Sequence, residues 1–290
     1  MDIRDLATFA AVARFGGIGR AARELNTVQS NVTQRVRRLE SDLGVTLFER
    51  SRAGTALTAA GKRLVPYAAR LDSLLAEARR AARDDGTPQG TLAIGALETT
   101  AALRLSPLLA SYATAHPQVD IVLRTGTTAE MIDQVLDREL EGAFTCGPVM
   151  HPDLVATPAF KEELALLSAP PMRPMRNLLG QPDLRLVILR AGCSYRQRLE
   201  EILARRGIVG LRRLEFGTLE AILGAVAAGL GITLLPRSLI GPAWRGGQIA
   251  VHRLPATEAS VQTVFVRRRD IACSQALRAF HKHVTRKSIG

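Results

Sequence analysis

Residues 18–61 read IGRAARELNTVQSNVTQRVRRLESDLGVTLFERSRAGTALTAAG, and the parsing of this stretch decides the fold. Ala21, Ala22 and Leu25 form the apolar side of a short helix whose wet side carries Arg20, Arg23 and Glu24. Asn26 and Thr27 break it, and Thr27 is placed to N-cap a second helix. In that helix Val32, Val36, Leu39 and Leu43 recur at spacings of four, three and four, so one face is buried. The opposite face carries Gln29, Ser30, Thr33, Gln34, Arg37 and Arg38, with no carboxylate before Glu40. Two helices on a tight break, the second rich in donors at its start, describe a helix-turn-helix.

Upstream, residues 3–14 place Ile3, Leu6, Phe9, Ala10, Val12 and Ala13 on one side of a packing helix that Gly16-Gly17 ends. Downstream, Gly44 stops the second helix and Leu47-Phe48 anchors the chain in the core. Residues 49–57 then have the Arg, Ser, Gly and Thr content of a two-stranded wing, with Arg50 and Arg52 near phosphates. A long helix is predicted over residues 58–83, because Leu64, Tyr67, Ala68, Leu71, Leu74, Leu75 and Ala78 recur at helical spacing. Pro66 falls inside it, as a kink or a boundary. Residues 84–90, DDGTPQG, read as a linker.

Beyond the linker the pattern alternates. Strands are predicted at 91–95, 119–125 and 142–146, with helices at 101–115 and 130–138 between them. After a crossover come strands at 163–168, 184–189, 213–216, 231–235 and 262–267, and helices at 195–206, 219–228 and 274–284. This βαβ rhythm implies a mostly parallel sheet covered by helices.

AARELN, the run TVQSNVTQRVRRLESDLGVTLFER and LTAAG together resemble the DNA-binding domain of LysR-type transcriptional regulators. AVAAGLGITLLP at 225–236 and the start of the preceding helix at 217–220 resemble the same family's effector domain. The resemblance spans nearly the whole chain and is strongest before Gly61. Many family members carry Pro near position 31 and Ser near 33, where this chain has Asn31 and Thr33, so the preferred DNA sequence does not follow from it. It implies a multidomain α+β and α/β chain: a winged helix-turn-helix at 1–58, a linker and dimerisation helix at 59–86, and a two-lobed, periplasmic-binding-protein-like effector domain at 87–290. Lobe I would take about 91–161 and 267–290, lobe II about 162–266. It further implies a dimer of dimers on promoter DNA, a small-molecule effector, and contact with RNA polymerase.

Composition fits. The chain has 290 residues, 47% of them apolar, enough for two or three domains, and a formal charge of +12 that suits an acidic partner such as nucleic acid. Cys146, Cys193 and Cys273 are far apart and odd in number, which reads as three reduced thiols. The opening MDIRDLATF is no secretion signal, and the greasiest run, 221–236, is broken by Gly229-Leu230-Gly231. A soluble, cytoplasmic protein without membrane contact is expected.

For DNA, Gln29, Ser30, Asn31, Thr33, Gln34 and Arg35 are the candidates to reach base edges, and Arg37, Arg38, Arg50 and Arg52 to meet phosphates. Arg35 has the alternative of pairing with Glu40 or another acid. For an effector, strand ends and the helix starts that follow them are the binding positions of open α/β lobes. These are Glu98, Thr99 and Thr100, then Thr127 and Thr128, then Cys146, and in the second lobe Cys193, Ser194, Tyr195, Gly217 and Thr218. Each hydroxyl has an ordinary helix cap as its alternative role. A carboxylate at Glu98 calls for a cation, Arg196 or an amine on the effector, unless it points to solvent. The five histidines share no ligand spacing, and there is no GxSxG elbow or P-loop, so no catalysis, metal or cofactor is expected. Control by cysteine oxidation, or a small-molecule-binding protein or enzyme not acting on DNA, are the rival readings.

Overall fold

The computed structural model describes residues 1–51, 54–83, 86–241 and 247–288, without side chains at 50, 51, 54, 72, 73, 76, 77, 79–81, 83, 287 and 288. The chain forms two compact units, Met1–Asp84 with Asp137–Glu139, and Asp85–Leu136 with Leu140–Gly290.

In the first unit, α1 (Ile3–Phe15) is capped by Asp2, whose carboxylate accepts from Arg4 N, and ends on left-handed Gly16. Its buried face is Asp5, Leu6, Thr8, Phe9, Ala11 and Val12. Ile3 is exposed and Ala10 and Ala13 are only partly covered. The expected face was rotated because Asp5 is buried with a cation beside it, which hydrophobicity alone does not reveal. The helices α2 (Ile18–Glu24) and α3 (Gln29–Leu43) follow. Leu25 lies past the last turn of α2 and is exposed. The N-cap of α3 is Val28, which has no side-chain acceptor; Thr27 Oγ1 instead accepts from Asn31 Nδ2 at 2.9 Å. Val32, Val36 and Leu39 are buried, each stabilising the unit by about 1.5–3 kcal/mol, while Leu43, next to left-handed Gly44, is exposed.

Strands β1 (Phe48–Ser51) and β2 (Gly54–Leu57) pair antiparallel as the wing. Glu40 pins it to α3, its carboxylate accepting from Leu47 N at 2.7 Å and Phe48 N at 3.2 Å. Helix α4 (Ala59–Arg83) starts where Thr58 Oγ1 accepts from Gly61 N, and runs unbroken through Pro66. Only glycine fits at 61, because a Cβ there would meet the Leu47 carbonyl. Leu64, Val65, Ala68 and Leu71 pack against Leu6, Phe9, Leu39 and Leu47, while Tyr67 and Leu74 are exposed.

The second unit holds a seven-stranded sheet of order β10-β6-β11-β5-β3-β4, with β9 also on β6. The strands are β3 (Gly90–Leu97), β4 (Val119–Gly126), β5 (Gly142–Cys146), β6 (Leu154–Ser168), β9 (Thr233–Pro236), β10 (Ala250–Arg253) and β11 (Ser260–Arg268). Only β3 with β4 and β3 with β5 run parallel in it; β11 on β5 and every partner of β6 are antiparallel. The sheet is therefore mixed, not mostly parallel. Two long strands, β6 and β11, return antiparallel to each other, and the first half of β6 was not expected at all. Outside it, β7 (Arg185–Leu189) and β8 (Arg212–Phe216) pair in parallel.

The covering helices are α5 (Glu98–Thr100), continued by a π turn at Ala101–Leu105 into α6 (Ser106–Ala115), then α7 (Thr128–Leu136), α8 (Met175–Leu179), α9 (Ser194–Ala204), α10 (Leu219–Ala227), α11 (Ala256–Ala259) and α12 (Gln275–Ser288). Separate cores mark two lobes. One gathers Leu92, Ile94, Phe144, Phe265 and Phe280, the other Leu164, Leu186, Leu199, Ile222 and Leu234.

Candidate functional site

In the first unit the polar face of α3 is the candidate nucleic-acid surface. Gln29, Ser30, Gln34, Arg37 and Arg38 are exposed, and Asn31, Thr33 and Arg35 are partly covered. Asn31 is held by Thr27, and Thr33 Oγ1 donates to Gln29 O at 2.9 Å. Arg35 Nη1 donates to Asp5 Oδ1 at 3.1 Å, and Arg38 Nε stands 3.7 Å from Asp5 Oδ2. Asp5, not Glu40, is thus the acid that Arg35 meets. The side chain of Arg50 and all of Arg52 lie outside the described residues. Without a side-chain cap, the Gln29 and Ser30 amides of α3 have no partner among the described residues, as an anion requires. Beside them an open concavity is lined by Arg20, Arg23, Thr27, Gln29 and Thr55. Spacing alone places the first two only on the wet side of α2.

In the second unit a cleft of about 390 Å³, open solvent included, lies between the lobes. One lobe supplies Leu97, Glu98, Thr99, Gly126 and Thr127; the other supplies Leu189, Arg190, Cys193, Ser194 and Tyr195. Each comes from the end of a strand or the turn and helix start that follow it, where α/β folds bind ligands. The room inside it for the centre of a water-sized sphere is only about 20 Å³, enough for one water, so a larger ligand enters by widening the cleft.

Of the residues expected here, Glu98, Thr99, Thr127, Cys193, Ser194 and Tyr195 do line the cleft. Thr100 is buried outside the lining. Thr128 accepts from Ser194 Oγ at 2.8 Å, across the lobes. Cys146 is packed into the second lobe's core. Gly217 and Thr218 are not lining residues; Thr218 Oγ1 accepts from Ala221 N and caps α10.

Arg190 was not anticipated. Its Nε and Nη2 donate to the two carboxylate oxygens of Glu130 at 3.0 and 2.9 Å. Glu130 also accepts from Thr127 N at 2.8 Å, while Thr127 Oγ1 accepts from Glu130 N, a capping box. Arg190 and the Thr127 amide together hold the Glu130 carboxyl down at about 2. The spacing of Thr127 and Glu130 could have flagged the box, and Arg190 directly follows a predicted strand end.

Glu98 is different. Half-buried, it has no hydrogen bond or ion pair among the described residues. Burial pushes its pKa up, Arg190 nearby pulls it down, and Glu220 and Glu130 push it up further. Arg196, the expected cation, pairs with Glu215 at 3.2 Å and Glu200 at 3.7 Å instead. Thr99 Oγ1 is buried without a partner of hydrogen-bond geometry. Burial raises the Tyr195 hydroxyl, which Thr99 partly offsets, and it raises the thiols of Cys146 and Cys193. Among the described residues no group of three or more His, Cys, Asp or Glu could hold a metal, and no helix is long and apolar enough to cross a membrane.

A donor-faced helix beside a wing, joined in one chain to a two-lobed α/β unit with a cleft at its strand ends, defines a ligand-sensing DNA-binding regulator. Residues 3–62 match the bacterial regulatory helix-turn-helix protein, lysR family, and residues 85–288 match the LysR substrate binding domain. The chain belongs to the LysR family and is a regulator of transcription, not an enzyme. It is 42% identical to the HTH-type transcriptional regulator GltR of Bacillus subtilis (strain 168), over 98% of this chain and 96% of that one. It is 44% identical to the uncharacterized HTH-type transcriptional regulator YusT of the same strain, over 97% and 94%. The crystal structure of CbnR, a LysR family transcriptional regulator, superimposes with a TM-score of 0.70 at 26% identity, over 99% of both chains, as does full-length CbnR complexed with its target DNA.

Proposed function

We propose that this regulator responds to an effector carrying an amine, bound in the interlobe cleft against Glu98. One observation carries the reading: Glu98 is a half-buried carboxylate without a partner, while the guanidinium nearest to it is held at two points by Glu130. A carboxylate leaves water at a cost unless a cation meets it. Cysteine oxidation is the weaker reading, because a redox sensor needs a low-pKa thiolate and burial raises the thiols of Cys193 at the cleft and Cys146 in the core.

On DNA, Gln29, Ser30, Asn31, Thr33 and Gln34 reach base edges, and Arg37 and Arg38, with Arg50 and Arg52 of the wing, meet phosphates. Arg35 serves chiefly to hold Asp5. The exposed Tyr67 and Leu74 of α4 form part of a helix-pairing stripe, giving a homodimer that assembles further into a tetramer on promoter DNA. The protein acts in the cytoplasm, and RNA polymerase is a further partner. The test is calorimetry of the full chain against amines, amino acids, organic acids and aromatic acids. Binding confined to amines or amino acids supports the reading; binding of simple organic acids alone overturns it.

A further inference from the structure

Arg190 has a second edge. Its Nε–Nη2 side is spent on Glu130, but a guanidinium carries five N–H donors, and the Nη1 end has no partner among the described residues. It lines the cleft opposite Glu98, one residue from each lobe. Close by, the buried Thr99 hydroxyl is also unpartnered.

We propose that the effector is a zwitterion of amino-acid size, its ammonium on Glu98 and its carboxylate on the free end of Arg190, with Thr99 donating to the same carboxylate. This rests on the amine reading above and adds the second charge, the residue that receives it, and the reason both are needed. A simple amine satisfies Glu98 yet leaves the buried Thr99 hydroxyl without an acceptor and the half-exposed end of Arg190 to water, and an unpaired buried donor is costly. A simple acid satisfies Arg190 and leaves Glu98 buried and charged. Only a molecule with both groups leaves neither side unpaired. Leu97, Gly126 and Leu189 give its side chain a largely apolar wall.

The same geometry supplies the coupling. The lobes are already clasped by Glu130 on Arg190 and by Ser194 on Thr128. Gly192, at φ +88°, lies so close to Thr127 and Ala129 that a side chain there would meet both. A zwitterion adds a tie between Glu98 and Arg190, whereas an amine touches one lobe alone. A ligand shifts a conformational equilibrium only by its differential contacts with the two states. Glu130 is a positioning residue, presenting the guanidinium at a fixed angle.

The experiment is calorimetry on the full chain with the common L-amino acids, then with the C-terminal amide and the decarboxylated amine of the tightest binder. In the native protein the amide and amine are expected to bind at least tenfold more weakly than the amino acid. Arg190→Gln should bring all three to similar affinity, Arg190→Lys should narrow the gap by keeping the charge and losing the fork, and Glu98→Gln should weaken all three. Thermal unfolding and retained DNA binding show that each variant is folded. An amine binding as tightly as its amino acid, or an Arg190→Gln effect equal on all three, overturns the zwitterion and leaves the amine reading standing. Failure of amines and amino acids alike sinks both.

Discussion

Asp5 and Glu98 are both acids on helices drawn away from water, one in each unit, and they are accommodated in opposite ways. Asp5 is fully buried, with Arg35 at 3.1 Å and Arg38 at 3.7 Å. Two cations from the polar side of α3 neutralise it, fixing α1 against α3. Glu98 is half-buried at a strand end and has no such neighbour; the nearest guanidinium is committed to Glu130. An acid whose charge its own chain neutralises is structure, even with Asp5 Oδ2 left without a hydrogen bond. An acid left incomplete in a cleft is a place for something else.

The sharpest way to break the contrast is to take away the first acid's cation. Arg35→Met leaves a buried carboxylate facing Arg38 alone, and breaking such a pair costs about 3 kcal/mol. Unfolding of the full chain followed by circular dichroism should lose that much in its first transition. Asp5→Leu added to Arg35→Met should recover most of it, because replacing both charges with apolar groups is often neutral. No recovery would mean that Arg35 acts through something other than Asp5.

Removing the second acid should do the reverse. Burial raises the pKa of Glu98, so folding favours its protonated form: stability is full below the ordinary carboxylate range and is lost as pH rises through the raised value. Glu98→Gln should therefore raise the melting temperature slightly at pH 7 and leave it unchanged at pH 4. At the same time it should weaken an amine-bearing effector about tenfold to a hundredfold, the worth of one charge-assisted contact. A lower melting temperature at pH 7 would show that Glu98 is neutralised by a cation of its own chain, as Asp5 is.

Glu130 tests the boundary between the two cases, since it is completed by Arg190 yet lies in the effector unit. Its pKa of about 2 is depressed, so its contribution is present above the ordinary carboxylate value near 4.5 and disappears as pH falls toward 2. Glu130→Gln should lower the melting temperature modestly at pH 7 and not at all near pH 2, flattening the acid limb of the stability curve. The pair is half-exposed, so solvent keeps the effect small.

What could be read from the sequence followed the range of the interactions. The α3 face apart from Leu43, the wing and the glycine stops are local patterns of period or punctuation, and they lie where spacing put them. Thr27 is not the cap because one residue more of turn moves the N-cap to Val28 and the helix start to Gln29. Asp5 with Arg35 and Glu130 with Arg190 join residues thirty and sixty positions apart, and no local pattern names such partners. The same limit hid the mixed sheet: β6 and β11 look like ordinary strands until their antiparallel pairing is seen. Strand ends did locate the cleft, because ligand position in α/β folds follows from topology, but not which cation would stand there.

The smallest effect separates the arginines of α3 from one another. Arg38 lies near Asp5, so part of its field is already spent, whereas Arg37 is exposed with no ion pair among the described residues. Each phosphate contact releases counterions and adds about one to the slope of log affinity against log salt. Arg37→Ala should thus reduce that slope by about one and weaken binding to all DNA sequences alike. Arg38→Ala should reduce it by less and also lower stability, because Asp5 then depends on Arg35 alone. Gln34→Ala should leave the slope unchanged and relax the preference between sequences, as expected of a side chain that reads a base edge. Titrations of operator and random duplex at several salt concentrations resolve the three. Equal slopes for Arg37→Ala and the native protein would remove Arg37 from the phosphate contacts and turn attention to the wing.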